Sequence, residues 1–165
     1  MTATATHTTD PSRYGDLTVV PISDALGAEI KGIELGNIDE ATYRAIRNAW
    51  IDNLVVIIRN QTIGDEELVV FSRLFGDLDM APPQEHGQQA VTGLPEIMVI
   101  SNVKEGGVPI GSLGDGEAIW HTDMNYVERP PLGSALFSLE VPDKGGDTGF
   151  CNMYMALDAL PANLR

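Results

Sequence analysis

A β-rich core with helices packed outside it is the fold class that this sequence predicts. Apolar runs of strand length recur along the chain, Gly and Pro punctuate them, and helical periodicity is confined to a few stretches. No segment repeats another.

Residues 1–14 are Thr-rich and carry almost no large apolar side chains, so a disordered tail is expected there, with the folded part over 15–165. Leu17–Ile22 and Ala28–Ile33 read as short strands, broken by Gly27 and Gly36. Asp39–Asn53 reads as an amphipathic helix. Tyr43, Ile46, Ala49 and Trp50 share one face, and Asn37 or Asp39 can cap the first turn. Leu54–Ile58 is a continuous apolar run, the pattern of a strand buried on both faces. Thr62–Phe75 predicts a second helix, with Leu68, Phe71, Leu74 and Phe75 inward and Gly76 as its stop. Met80–Gly93 is loop-like, Ile97–Ile100 a strand, and Gly106–Gly116 a flexible glycine-rich loop. Gly133–Val141 reads as a long strand, Thr148–Cys151 as a short one, and Asn152–Leu160 as the start of a helix.

Composition narrows the function. The net charge of −14 argues against nucleic acid or an anionic membrane as partner. No apolar run approaches the roughly 20 residues of a membrane span, and the N-terminus has no basic region leading into an apolar one, so no secretory signal is read. A single cysteine, Cys151, fits a reducing cytoplasm and reads as a small buried apolar residue. The partner expected is a small molecule, and a homo-oligomer is compatible with all of this.

The chemistry concentrates in Trp120-His121-Thr122-Asp123. On an extended strand, side chains two residues apart point to the same side, so His121 and Asp123 are neighbouring candidate ligands for one divalent metal. One nitrogen and one oxygen ligand suit a 2-His-1-carboxylate iron site, which leaves positions open for other ligands. Trp120 and Thr122 alternate away from it, into packing. On spacing alone the plainer reading is a strand histidine hydrogen-bonded to a carboxylate. Gly145-Gly146-Asp147-Thr148, taken alone, is ordinary turn chemistry.

Context changes both readings. The run Ala118–Tyr126, then Glu128-Arg129-Pro130-Pro131, Val141-Pro142 and Gly145–Thr148, together with Arg73-Leu74-Phe75-Gly76, resembles the TauD/TfdA family of Fe(II)- and 2-oxoglutarate-dependent dioxygenases. The likeness covers most of residues 15–165. It implies a double-stranded β-helix, a jelly-roll relative of the cupins. It also implies oxidative decarboxylation of 2-oxoglutarate to succinate and CO2, with O2 as oxidant and hydroxylation of a small organic acid or related metabolite. His121 and Asp123 then match the first two iron ligands, and Thr148 the hydroxyl that bonds the distal carboxylate of 2-oxoglutarate. The third ligand, a second His, and a following Arg are implied too. His7, His86, Arg129 and Arg165 do not sit in the motifs for those roles. A jelly roll needs about eight strands, and about half that number is readable. The chain is therefore expected to be an N-terminal portion of one dioxygenase domain, with an incomplete jelly roll and no activity alone.

The taurine-oxidising branch contacts its sulfonate through a His shortly after the F-G element and an Asn four residues before the first metal ligand. The matching positions here are Ala81 and Glu117, neither of which donates to a sulfonate. Two rival readings stand beside the dioxygenase: a non-catalytic jelly-roll binding module, and a cupin using zinc or manganese. A second His and a following Arg would separate the first rival, and metal content the other.

Overall fold

In a computed structural model of the protein, residues 10–81, 91–113 and 119–165 are described. The chain divides into two compact units, Met1–Thr62 with Leu139–Arg165, and Ile63–Ser138.

The first unit is built on a three-stranded mixed sheet. Strands β1 (Thr18–Pro21) and β2 (Ala28–Lys31) pair antiparallel, with Thr18 opposite Lys31. Strand β3 (Val56–Ile58) joins the other edge of β2 in parallel, with Ala28 opposite Val56. A parallel pair cannot be joined by a tight turn, and helix α1 (Glu40–Asn53) supplies the crossover. Asp39 caps α1 by accepting the Thr42 N–H at 2.7 Å. The predicted face is the packed one. Ile46 and Ala49 are buried with Ala45, as are Ala28 and Ile30 on β2, against which α1 packs. Sequestering each isoleucine is worth about 1.5–3 kcal/mol. Leu54 ends the helix in a left-handed conformation at φ 67°, where glycine is commoner.

Two expectations change here. Val56–Ile58 is an edge strand, and Ile57 is 37% exposed, so the run is not covered on both faces. The expected tail also has an ordered end. Pro11–Tyr14 forms a 3-10 turn, Tyr14 is buried, and Arg13 pairs with Asp52 of α1 at 2.5 Å. Asn48 of α1 adds a hydrogen bond to the Arg13 carbonyl. Two polar contacts and one buried ring outweigh a Thr-rich composition; residues 1–9 lie outside the described ones.

The second unit begins with helix α2 (Asp65–Arg73), shorter than the predicted span. Glu67 accepts the Gly64 N–H at its start. Val69 is its buried residue, Phe71 and Phe75 meet edge to face at 5.3 Å, and Leu74 is exposed rather than inward. Strand β4 (Ile100–Ser101) is displaced toward the end of the predicted Ile97–Ile100. The glycine-rich stretch is not simply a loop. Strands β5 (Lys104–Glu105) and β6 (Val108–Pro109) form a hairpin over Gly106-Gly107, both at positive φ, and β7 (Ser112–Leu113) pairs in parallel with β4. Gly111 permits that approach: a Cβ there would lie 2.8 Å from the Val99 carbonyl oxygen and the Ser101 nitrogen.

The C-terminal stretch carries helix α3 (Met153–Asp158), in the first unit. Asn152 caps it through its Oδ1 and donates its side-chain N–H to the Ala25 carbonyl at 2.6 Å. Cys151 is exposed, not buried. Neither Gly133–Val141 nor Thr148–Cys151 forms a strand; Leu136, Leu139 and Val141 are exposed. A strand exists only where a neighbour completes its hydrogen bonds, and none pairs with this stretch among the described residues. Among the described residues no strand exceeds four residues while α1 alone has 14, and they form a small mixed sheet with a few helices and two short ladders.

Candidate metal-binding site

His121 and Asp123 lie in the second unit. The segment around them is not a strand: it is irregular up to Thr122 and turns at 123–126, with Met124 at φ 48°. The two side chains nevertheless meet. His121 Nε2 is 2.9 Å from Asp123 Oδ1. On the other side of the ring, Nδ1 lies 2.6 Å from the Ile119 carbonyl oxygen. Both neighbours are acceptors, so both ring nitrogens act as donors when the imidazole is charged. The Ile119 carbonyl first, then the Asp123 carboxylate, raise the His121 pKa above the ordinary histidine value. Both side chains are about two-thirds exposed, so as an ion pair they contribute little stability. Trp120, expected in packing, is 73% exposed.

Thr148 lies in the first unit. Gly145 and Gly146 precede it at φ 78° and 72°, a left-handed backbone that side chains with a Cβ rarely take. A Cβ on Gly146 would also meet Pro142 Cγ at 3.1 Å. Thr148 is exposed. Ala81 is half-buried in the second unit and donates its N–H to the Pro95 carbonyl at 3.0 Å. Glu117 lies outside the described residues. Among the described residues the structure thus brings His121 and Asp123 together, with no third His, Cys, Asp or Glu completing a metal-binding group.

Residues 18–165 match the profile of a family described as "Taurine catabolism dioxygenase TauD, TfdA family". The chain belongs to the TauD/TfdA family. Its relatives include an (S)-phenoxypropionate/alpha-ketoglutarate-dioxygenase from Sphingobium herbicidovorans, 30% identical over 89% of this chain and 49% of the relative. An alpha-ketoglutarate-dependent sulfate ester dioxygenase from Pseudomonas putida is 33% identical over 91% of this chain and 46% of the relative. A pentalenolactone F synthase from Streptomyces avermitilis is 35% identical over 93% and 50%. The chain spans about half the length of these curated relatives.

The iron that TauD/TfdA membership implies fits the His121–Asp123 pair. A proton on Nδ1 given to the Ile119 carbonyl would leave Nε2 facing a metal, the arrangement usual at metal-bound histidines. Nε2 and Asp123 Oδ1 are 2.9 Å apart, so both would be within reach of one cation. A cation would take the place of the proton now shared between Nε2 and Oδ1. The Ile119 carbonyl is the member of this site that the residue pattern did not reveal. A backbone acceptor has no side-chain signature; the only hint was that 119, 121 and 123 share one parity.

Proposed function

We propose that the chain carries the first two iron ligands and one 2-oxoglutarate contact of a dioxygenase. That enzyme hydroxylates a small organic acid or related metabolite and releases succinate and CO2. The observation that supports it is the His121–Asp123 pair, 2.9 Å apart, with the imidazole tied back to Ile119. The family match running through both compact units supports reading them as parts of one dioxygenase domain, completed as a double-stranded β-helix.

In this reading His121 binds through Nε2, and the Ile119 carbonyl keeps the ring from rotating away. Asp123 supplies the negative charge that balances the cation and accepts no proton while the metal is held. Bound Fe(II) supplies the redox chemistry that couples O2 to decarboxylation of 2-oxoglutarate. Thr148 donates its hydroxyl to the distal carboxylate of that co-substrate. One neutral donor does not balance a carboxylate, so an arginine fork is required as well. Ala81 and Glu117 mark the substrate side.

Metal titration tests the reading. His121→Ala should lower Fe(II) affinity sharply and abolish turnover in the competent enzyme, because an open site has no spare ligand to substitute. Undiminished iron binding and turnover in that variant would sink it. The 165-residue chain by itself should form no succinate above a metal-only control with Fe(II), ascorbate, 2-oxoglutarate and O2, since the two ligands proposed would hold iron weakly. Robust succinate would mean that another residue, or a second copy of the chain, completes the triad.

A further inference from the structure

Arg73 closes α2, and its guanidinium Nη2 lies 2.8 Å from Glu96 Oε1. The pair is asymmetric: the Arg73 side chain is 61% exposed and that of Glu96 only 15%. A carboxylate that far from water needs its partner more than a surface one does. Glu96 follows Pro95, whose carbonyl accepts the Ala81 N–H at 3.0 Å. Residues 91–97 are themselves wound into turns, with Leu94 N–H to the Val91 carbonyl at 3.0 Å and Ile97 N–H to the Leu94 carbonyl at 3.1 Å. A continuous set of contacts therefore runs from the end of α2 through Glu96 and Pro95 to the backbone of Ala81, all within the second unit.

We propose that the Arg73–Glu96 ion pair positions Ala81 on the substrate side of the site, so that Arg73 and Glu96 are positioning residues for substrate choice. This rests on the reading of Ala81 as a substrate-side residue. The pair holds the 94–96 turn to α2, and the turn in turn holds Ala81 by its N–H. Neither ionic side chain touches substrate. The methyl of Ala81 makes no hydrogen bond, so its polar anchor is the N–H to the Pro95 carbonyl.

Hydrogen exchange and kinetics test the proposal separately. In the chain as it stands, Arg73→Gln and Glu96→Gln should each speed exchange of the Ala81 amide by about two- to fivefold, the range expected from losing one ion pair. The swapped pair Arg73→Glu with Glu96→Arg should restore protection. In the competent enzyme the single variants should raise KM for the primary substrate by a similar factor while KM for 2-oxoglutarate stays within about twofold. Should the single variants unfold the unit, Ala81→Pro removes the same donor directly and should reproduce the selective KM rise. Unchanged Ala81 exchange in both single variants, or equal rises in both KM values, would overturn the proposal. If the enzyme completed by a second His and an Arg oxidises no substrate at all, the dioxygenase reading fails, and the exchange data on the chain still decide whether the ion pair holds Ala81.

Discussion

The orientation of His121 depends on an atom that carries no residue identity. Its Nδ1 faces the Ile119 carbonyl, while Nε2 faces Asp123. The two side chains meet although the strand expected to align them is absent. Thr148 is a different case. It follows two glycines whose positive φ is backbone chemistry that needs no co-substrate to explain it. Its hydroxyl is what separates a turn from a binding element. Thr148→Val keeps the shape and removes the donor, so apparent 2-oxoglutarate affinity in the competent enzyme should fall by about 0.5–3 kcal/mol. If that affinity holds and primary-substrate affinity falls instead, Thr148 has the other role.

Among the elements, α1 was the most legible, because everything that makes it is local. The cap, the apolar face and the crossover between parallel strands all lie within residues 28–58. The Asp39 cap also makes the helix pH-sensitive. The Thr42 N–H holds the Asp39 carboxyl below its ordinary value of 3.8. A depressed folded-state pKa stabilises the helix above the unfolded value, and the contribution is lost as pH falls through the folded one. Lowering the pH from neutral to below that range should therefore reduce the thermal stability of the parent chain. Asp39→Asn keeps a neutral acceptor and should lose less over the same interval. Identical acid sensitivity in parent and variant, measured by circular dichroism melts, would show that the cap carries none of it. Gly133–Val141 was illegible for the opposite reason. Its composition suits a strand, but pairing depends on partners remote in sequence, and Leu139 remains 80% exposed. Arg73 and Glu96 were likewise invisible, since 23 residues separate the two ends of their bond.

For the molecule as a whole, charge constrains the substrate. At −14 the protein repels anions on average, so an anionic group binds only where local donors or a metal overcome that field. A sulfonate is a permanent anion, and burying one without paired donors costs several kcal/mol. Where the taurine branch has a histidine, this chain has Ala81, with no side-chain donor and with its N–H already given to Pro95. Where that branch has an asparagine, it has the carboxylate of Glu117. Both changes remove donors, and the second adds a like charge. On the proposed reading of Ala81 and Glu117 as substrate-side residues, substrates with a hydroxyl, amide or ammonium near that wall should be favoured instead. Taurine should therefore rank low in a panel that includes aryloxyacetates, hydroxy and amino acids and betaines, scored by coupled succinate release in the competent enzyme. Ala81→His should raise the rank of taurine if position 81 faces the sulfonate. Parent enzyme that oxidises taurine faster than every other member would mean that donors elsewhere in the pocket bind the sulfonate.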